Sequence, residues 1–256
     1  MRSTLRTYKV TPQAANFARN AGGSQSRITI GGALRLIISH QHRFIFFKTR
    51  KTAGTSIERA LVQLCGPDDI IAATHDGIVG RNDRLPVPLG AFAWWWRYRR
   101  IQRSPFATYY PHERAELIKT LVGRKVFNSY FKFTIERNPW DREVSLYFWR
   151  TRKRPDTSFS DFVHTNRQKY WVDNFDIYTI GGKLVADHVM RYENLSDELA
   201  ALARIIGCDP SAITLPHAKQ RRVDKVDYRT YYDDELRTII ANRHRREIEL
   251  FEYSFD

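Results

Sequence analysis

The sequence contains two units in which an apolar, β-branched run is followed by a short polar loop and then by an amphipathic helix. In the first unit, residues 43–48 are rich in Phe and Ile, which is typical of a buried strand. After the loop, Ile57, Leu61 and Leu64 recur at helical spacing, and Gly66 with the following proline ends the helix. Strands that alternate with helices in this way favour a parallel sheet over antiparallel hairpins.

The second unit begins with a predicted strand over residues 131–135 and continues into a helix. Asn138 is the expected N-cap, and Pro139 takes the first helical position, where its missing N–H costs nothing. The apolar stripe of this helix comprises Trp140, Val144, Tyr147 and Phe148.

Later in the chain, a strand over residues 187–192 leads into a helix over residues 197–206, which Gly207 ends. A last long helix is predicted over residues 231–251. Its candidate buried residues are Leu236, Ile240 and Leu250. Together these elements predict an α/β fold, with a central parallel sheet flanked by helices on both faces.

Composition separates three parts of the chain. Residues 1–37 are polar with little apolar periodicity, so we expect a flexible basic tail. Residues 38–256 have the size of one domain. Within that domain, residues 85–103 begin with a proline-rich loop and continue into a tryptophan- and arginine-rich run, which we interpret as an insertion.

The net charge of +14 indicates an anionic partner, but charge alone does not choose among nucleic acid, an acidic membrane, an acidic glycan and a phosphorylated small molecule. Only two cysteines occur, without a disulfide framework or a metal-binding spacing, which suits a reducing compartment. No apolar run reaches the length of a membrane span, and no signal-peptide pattern stands out. We expect a cytoplasmic location, with peripheral contact to a membrane surface as an alternative.

The loop of the first unit, residues 49–56, has the residue types of an anion-binding turn. Backbone N–H groups at a helix N-terminus attract anions, Lys51 adds a mobile charge, and Gly54 permits a close backbone approach. Thr55 and Ser56 can cap the helix or donate hydroxyl hydrogen bonds. The lysine precedes the glycine, unlike the ATPase loop G-x-x-x-x-G-K-[ST]. A polar turn with an ordinary helix cap is the alternative interpretation.

Arg137 occupies the equivalent place in the second unit, between a strand end and a helix N-terminus. A guanidinium there suits bidentate recognition of phosphate. The alternative is a structural arginine paired with Asp141 or Glu143.

Residues 46–56 resemble the 5′-phosphosulfate loop of carbohydrate sulfotransferases related to heparan sulfate 2-O-sulfotransferase, and the chain resembles a bacterial-type member. The resemblance implies a P-loop NTPase-like fold and the sulfuryl donor PAPS (3′-phosphoadenosine-5′-phosphosulfate), with PAP as product. Lys51 is then expected at the phosphosulfate bridge. The donor-binding residues implied in this loop are Lys48, Arg50, Lys51, Thr52, Ala53, Gly54, Thr55 and Ser56.

Residues 137–145 resemble the 3′-phosphate motif of the same family, which implies that Arg137 and Ser145 hold the 3′-phosphate of PAPS. That phosphate distinguishes PAPS from ATP. Residues 189–195 and 228–255 resemble the family's Arg-Tyr-Glu-Asn-Leu strand end and its C-terminal helix with closing aromatics, which we expect to pack in the core. A late basic loop adds Lys219 and Arg221 as donor contacts. The likeness covers residues 38–255.

Transfer to a hydroxyl benefits from a general base. In related glycan 2-O-sulfotransferases a catalytic histidine lies between the two motifs, so His112 is the first candidate and His75 the second. Glu113 and Asp76 are carboxylate alternatives, and His112 could instead cap the following helix. No metal-ligand spacing is present, and we expect no metal.

The tryptophan- and arginine-rich run has three interpretations. Indole rings and guanidinium groups could form an acceptor platform for a carbohydrate, the run could rest on an anionic bilayer beside a lipid-linked glycan, or it could be a packing insertion. The candidate acceptor-binding residues are Trp95, Trp96, Arg97 and Arg99.

Two other classes compete with a sulfotransferase. A P-loop kinase or NTPase would need the Gly-Lys-Ser/Thr order and a Mg²⁺-binding aspartate at a strand end, and neither is evident. A nucleic-acid-binding protein fits the charge, but no nucleic-acid motif occurs, so we do not expect nucleic acid as a partner. The chain could also retain a nucleotide site without activity.

Overall fold

The computed structural model describes residues 36–71, 114–154, 156–165, 173–213 and 226–256. The insertion at residues 85–103 and all but the last two residues of the predicted tail lie outside the described residues.

The strands in the described residues fall into one sheet and one small hairpin. The strands of the sheet are β1 (Ile37–Ser39), β2 (Phe44–Phe47), β3 (Ile70–Ile71), β4 (Phe131–Glu136) and β7 (His188–Arg191), in the spatial order β3-β1-β2-β4-β7. The hairpin consists of β5 (Thr179–Ile180) and β6 (Lys183–Leu184).

Helices connect and cover these strands. They are α1 (Gly54–Val62), α2 (Ala115–Ser129, kinked at Gly123), α3 (Pro139–Arg150), α4 (Phe159–Thr165), α5 (Asn174–Ile177), α6 (Leu195–Ile205), α7 (Asp234–Arg243) and α8 (Arg245–Phe251). Short 3₁₀ turns cover Thr151–Lys153, Tyr192–Asn194, Pro210–Ala212 and Tyr228–Tyr231.

The sheet is mostly parallel. β2 pairs in parallel with β4, and β4 pairs in parallel with β7. β1 runs antiparallel to both β2 and β3, so four of the five strands point the same way. The predicted α/β class with a central sheet flanked by helices is confirmed. The sheet is mostly parallel and not wholly parallel as predicted, because β1 is an antiparallel strand that the sequence analysis did not predict. β1 has only three residues and no clear alternation, because all three are buried.

Both faces of the sheet are covered, because alternate strand residues point to opposite sides. On one face, Ile45 and Phe47 pack with Ile118 of α2 and Phe175 of α5. On the other face, the second core cluster holds strand residues together with side chains of α1 and α6: Phe44, Phe46, Phe133, Ile57, Leu61, Leu199 and Leu202.

A third core cluster joins α3 to α4, α7 and the C-terminal segment. Trp140 and Val144 of α3 are buried here, and Tyr147 and Phe148 pack against the cluster, which confirms the predicted stripe. Phe255 contacts the Trp140 ring edge-on, with the ring centroids 5.6 Å apart. The prediction that the aromatic C-terminus packs in the core is therefore confirmed.

The prediction of one continuous last helix is wrong, and so is the prediction that Leu250 is buried. The chain leaves helical geometry at His244, which separates α7 from α8. Leu236 and Ile240 are buried as predicted, but Leu250 is 45% exposed. The next position on the stripe after Ile240 is His244, a buried polar side chain. Its ring contacts Arg142 and Glu143 of α3 and Glu247 of α8, and Glu247 is the residue that α8 buries after the break.

None of the helices in the described residues is long and apolar enough to cross a membrane.

Candidate functional site

Two strand-to-helix turns lie side by side because β2 and β4 are parallel neighbours. Phe47 at the end of β2 is in register with Thr134 of β4. The Thr134 hydroxyl donates to the Phe47 carbonyl at 2.7 Å, and the Thr49 hydroxyl donates to the Ile135 carbonyl. These side-chain bonds join the first turn, residues 48–53, to the strand that leads into the second.

The first turn has an unusual backbone. Lys51 and Ala53 both adopt positive φ, at 59° and 61°, although neither is glycine. Left-handed geometry costs a non-glycine residue about 1–2 kcal/mol, so other contacts must hold the turn. Inside the turn, the buried Thr52 hydroxyl lies 2.9 Å from the Thr49 hydroxyl.

A second support for the first turn comes from α5. The side-chain amide of Asn174 accepts a hydrogen bond from the Arg50 N–H at 3.0 Å and donates to the Arg50 carbonyl at 3.3 Å. Asn174 is buried, and it holds the backbone directly before Lys51. Two neutral hydrogen bonds of this kind contribute about 0.5–1.5 kcal/mol each.

Helix α1 begins at the end of the first turn, with Ala53 as its N-cap. The Ala53 carbonyl accepts from the N–H groups of Ser56 and Ile57. Alanine has no side-chain oxygen, so Ala53 cannot cap the N–H groups that open the helix. A helix start of this kind suits an anion.

Lys48 crosses beneath this helix start. Its ammonium group pairs with the buried carboxylate of Glu58 on α1. A Cβ on Gly54 would lie 2.9 Å from Lys48 Cγ, so only glycine leaves room for the lysine stem. Lys48, named above as a donor-binding residue, therefore neutralises a carboxylate of α1 in this structure.

The second turn is organised by Arg137, which is buried. Its Nε donates to Asp141 at 2.7 Å, its Nη1 donates to the Lys51 carbonyl at 3.2 Å, and its guanidinium lies over the Tyr192 ring, 4.2 Å from the centroid. The predicted alternative pairing with Asp141 is thus present. The bond to Lys51 links the two turns directly.

The Arg-Tyr-Glu-Asn segment at the end of β7 supports the second turn. Glu193 accepts from the Asn138 backbone N–H at 2.7 Å, while Tyr192 stacks against Arg137. Asn138 caps α3 as predicted, since its side chain accepts from the N–H groups of Trp140 and Asp141. These contacts explain why a strand end far along the chain belongs to the same site.

A cluster of buried charges lies behind the second turn. Arg142 of α3 donates to Glu136 at 2.8 Å and to Glu247 at 3.2 Å, and His244 lies 3.0 Å from Glu143. Burial, reinforced by Glu247 and opposed by Arg142, raises the pKa of Glu136 to about 7. Burial would also raise the pKa of Glu247, but His244 and Arg142 reverse this and lower it to about 2.

Ligand atoms of Asp173, His244 and Glu247 lie close enough together to hold a metal ion. Arg142, however, donates to Glu247, and its Nη2 lies 2.9 Å from His244 Nδ1. The Arg142 guanidinium therefore already contacts two of these three groups, and Asp173 accepts from Arg246 at 3.0 Å.

The structure brings residues 48–56 and Arg137 together, and their roles stay predictions. Ser145 is half-buried on α3, about two helical turns beyond Arg137. The remaining candidates lie outside the described residues: His75, Asp76, Trp95, Trp96, Arg97, Arg99, His112, Glu113, Lys219 and Arg221.

The sequence analysis missed the contacts that three residues make with this site. Asn174 carries no pattern that would reveal its contact, and Tyr192 lies in the Arg-Tyr-Glu-Asn-Leu segment without its contact to Arg137 being predicted, because each acts across a long sequence separation. Trp149 could have been noticed, since it is an aromatic residue beside the apolar stripe of α3 and not on it. It is 43% exposed, and Lys51 Nζ lies 5.8 Å from its ring centroid.

The profile of the sulfotransferase family matches residues 34–254. This chain therefore belongs to the sulfotransferase family, and it is a transferase by that membership. It is 34% identical to an uncharacterised protein of Archaeoglobus fulgidus over 134 residues, which make up 49% of this chain and 98% of that protein.

The chain is also 27% identical to carbohydrate sulfotransferase 10 of Xenopus laevis over 138 residues. These residues make up 54% of this chain but only 28% of the frog protein. No solved structure matches the chain. The predicted resemblance to sulfotransferases is confirmed, whereas the relation to heparan sulfate 2-O-sulfotransferase stays a prediction.

Exchanging small residues at positions 53 and 54 tests the geometry of the first turn. Gly54→Ala should lower the free energy of unfolding by about 1–3 kcal/mol, because the new Cβ meets the Lys48 stem. Ala53→Gly should leave it unchanged or raise it by up to about 1 kcal/mol, because glycine relieves the positive φ. Urea denaturation of both variants measures the free energy of unfolding. Helix propensity alone predicts that Gly54→Ala stabilises the protein, and such a result would contradict the close contact between residue 54 and the Lys48 side chain.

Glu136→Gln tests the raised pKa of Glu136. Between the ordinary value of 4.5 and about 7, the folded protein holds the proton and the unfolded chain does not. The free energy of unfolding should therefore fall as pH rises through this window, and level off above it. Glutamine cannot ionise. Between pH 4.5 and 7.5, the free energy of unfolding of the wild type should therefore fall by on the order of 3 kcal/mol relative to that of the variant. Urea unfolding measures the free energy of unfolding of both proteins across this pH range. If the difference between wild type and variant does not change with pH, the assignment is refuted.

Proposed function

We propose that this protein transfers the sulfuryl group of PAPS to a hydroxyl of a carbohydrate or glycoconjugate and releases PAP. The observation that supports this most is the hydrogen bond from Arg137 to the Lys51 carbonyl. It joins two turns of the kind that bind anions, and PAPS carries a phosphate on the 3′ position and a phosphosulfate on the 5′ position of its ribose. Membership of the sulfotransferase family supplies the reaction class.

The first turn is proposed to hold the 5′-phosphosulfate. The N–H groups that open α1 follow Ala53, which cannot cap them, and Thr55 and Ser56 add hydroxyls beside them. Lys51 lies in the same turn and is held there by Arg137 and, through Arg50, by Asn174. Its ammonium would stabilise the negative charge that develops on the bridging oxygen.

The second turn is proposed to hold the 3′-phosphate. Arg137 keeps its guanidinium fixed between Asp141 and Tyr192, so little side-chain entropy would be lost when a phosphate binds. Ser145 on α3 is the second proposed contact. Because Asp141 already accepts two contacts from Arg137, a phosphate there would share the guanidinium with a carboxylate.

In the proposed step, the acceptor oxygen forms a bond to the sulfur while the bond from sulfur to the bridging phosphate oxygen breaks. The leaving phosphate takes the electron pair beside Lys51, and the acceptor proton passes to a general base. His112 is the first candidate for this base, with His75, Glu113 and Asp76 as alternatives. Lys219 and Arg221 are proposed to contact the nucleotide. The tryptophan- and arginine-rich run, with Trp95, Trp96, Arg97 and Arg99, is proposed to contact the acceptor or a membrane surface.

A thermal-shift comparison tests the donor. PAP at about 100 times its dissociation constant should stabilise the fold by about 2.7 kcal/mol, while ADP and AMP should stabilise it much less. Arg137→Ala should weaken PAP binding by about 10- to 100-fold and leave ADP binding nearly unchanged, because it removes a charge-assisted contact to the 3′-phosphate alone. A response to ADP with Mg²⁺, or to a DNA duplex, in place of PAP would refute the proposal.

Lys51→Ala tests the transfer step. The variant should lose sulfuryl transfer by at least about 1000-fold, because the leaving phosphate loses its stabilising charge. PAP affinity should fall by no more than about tenfold, since the backbone N–H groups and Arg137 remain. Radiolabelled PAPS with a glycan acceptor measures transfer, and Lys125→Ala on α2 serves as the control for loss of a surface lysine. Near-normal transfer by Lys51→Ala would contradict the role.

A further inference from the structure

Lys51 lies between two peptide groups that other side chains hold. The Arg50 carbonyl belongs to the peptide that enters Lys51, and the side-chain amide of Asn174 donates to it at 3.3 Å. The Lys51 carbonyl belongs to the peptide that leaves Lys51, and Arg137 Nη1 donates to it at 3.2 Å. Peptide groups are planar, so the backbone of Lys51 can change only by turning one of these peptides against the other. The two hydrogen bonds together therefore fix its φ and ψ.

The conformation that these bonds hold is one that lysine rarely adopts by itself. The φ of Lys51 is 59°, in the left-handed region that residues with a Cβ avoid. Without the bond from Asn174, the peptide before Lys51 is free to rotate, and the residue relaxes toward a more favourable φ. The Cα–Cβ bond turns with the backbone, so the ammonium group then points in another direction.

The position of Asn174 suits this role. Its side chain is 4% exposed, and its amide oxygen accepts from the Arg50 N–H at 3.0 Å, so both polar groups of the amide bond to the same backbone residue. Two bonds from one planar amide fix the direction of the Arg50 backbone as well as its distance. Unlike Arg137, Asn174 is not among the residues proposed to contact PAPS. Its effect on the reaction would come through Lys51.

Helix α5, which carries Asn174, has only four residues and depends on its neighbours for its position. Arg246 of α8 supplies three contacts. Its Nη2 lies 3.0 Å from the Asp173 carboxylate, and its Nη1 lies 3.6 Å from that of Asp176. Its guanidinium also lies over the Phe175 ring, 4.4 Å from the centroid. Arg246 therefore holds the helix that places Asn174 against the first turn.

We propose that Asn174 is a positioning residue for sulfuryl transfer, which orients Lys51 toward the bridging oxygen of the donor by holding the peptide between Arg50 and Lys51. Arg246 acts one step further away, by holding α5. The inference rests on the proposed function and adds to it the residues that orient Lys51. The charge of Lys51 is needed most in the transition state, so a misplaced ammonium lowers the rate more than the affinity for the nucleotide.

Asn174→Ala tests the proposal. It should lower kcat by about 10- to 100-fold, because a displacement of about 1 Å in a catalytic group has an effect of this size. Affinity for PAP should change by no more than about threefold, since Arg137 and the N–H groups that open α1 remain.

Turnover is measured as loss of label from radiolabelled PAPS in the presence of a hexasaccharide of N-acetylglucosamine. This readout records turnover whether the sulfuryl group passes to the sugar or to water. Calorimetry measures both the affinity for PAP and the number of PAP sites. Rates are expressed per PAP site, so protein that has not folded is not counted, and a merely structural role of Asn174 would leave them unchanged.

Thr179→Val is the matched control. Thr179 is buried directly after α5, and its hydroxyl donates to the Phe175 carbonyl at 2.7 Å. Valine keeps the shape of threonine and removes this bond, so the variant loses a buried hydrogen bond of α5 but keeps the bonds from Asn174 to Arg50. Its kcat per PAP site should stay within about twofold of the wild type.

A second pair of variants tests the proposal if Asn174→Ala does not fold. The Arg246 side chain is 51% exposed, so its ion pairs contribute little to stability. Arg246→Ala should lower kcat per PAP site by about threefold or more. Arg245→Ala removes the neighbouring arginine and its exposed pair with Glu249, and its kcat should stay within about 1.5-fold. Added to Asn174→Ala, Arg246→Ala should cause no further loss, because both act on the same peptide.

Near-normal kcat per PAP site in Asn174→Ala, or an equal loss in Thr179→Val, would overturn the proposal. Where Asn174→Ala does not fold, equal rates for Arg246→Ala and Arg245→Ala would overturn it. A large loss of PAP affinity in Asn174→Ala with unchanged kcat would also overturn it, because Asn174 would then serve donor binding alone. In all these cases the wild type still binds PAP and turns over PAPS, so the proposed function would stand. A wild-type protein that neither binds PAP nor turns over PAPS would refute the proposed function itself.

Discussion

The parallel pairing of β2 with β4 is the constraint on which the site depends. Parallel neighbours end at the same edge of a sheet, so each strand delivers its following turn to the same place. Here the register sets Phe47 opposite Thr134, and threonine hydroxyls bond across the pair. The hydrogen bond from Arg137 to the Lys51 carbonyl then closes the connection between the turns.

Helices α5 and α8 stabilise the two turns at this edge of the sheet. The left-handed residues Lys51 and Ala53 cost energy, and Asn174 of α5 offsets part of that cost through the Arg50 backbone. Arg142 joins the end of β4 to α8 through Glu136 and Glu247, all three of them buried. Removing one partner of such a cluster leaves an uncompensated buried charge, which is far more costly than the cluster's net contribution to stability. The C-terminal segment is therefore part of the support of the second turn.

Local chemistry made much of this predictable. Asn138 and Pro139 identify the start of α3, and the spacing of Ile57 and Leu61 identifies α1, because both signals depend on neighbouring residues. Asn174 and Tyr192 reach their partners over 124 and 55 residues, as the bonds to Arg50 and Arg137 show, and no local pattern encodes such distances. The break at His244 was missed because periodicity records apolar residues, whereas this position is buried by polar partners on α3.

The central claim is that one ligand bridges the two turns through its two phosphates. A crystal structure of the protein with PAP tests it most directly. The account predicts the 3′-phosphate within hydrogen-bond distance of Arg137, and the 5′-phosphate on the N–H groups that open α1 after Ala53. Density for PAP at another place, or with its 3′-phosphate in solvent and Arg137 still bonded only to Asp141 and Lys51, would contradict the account.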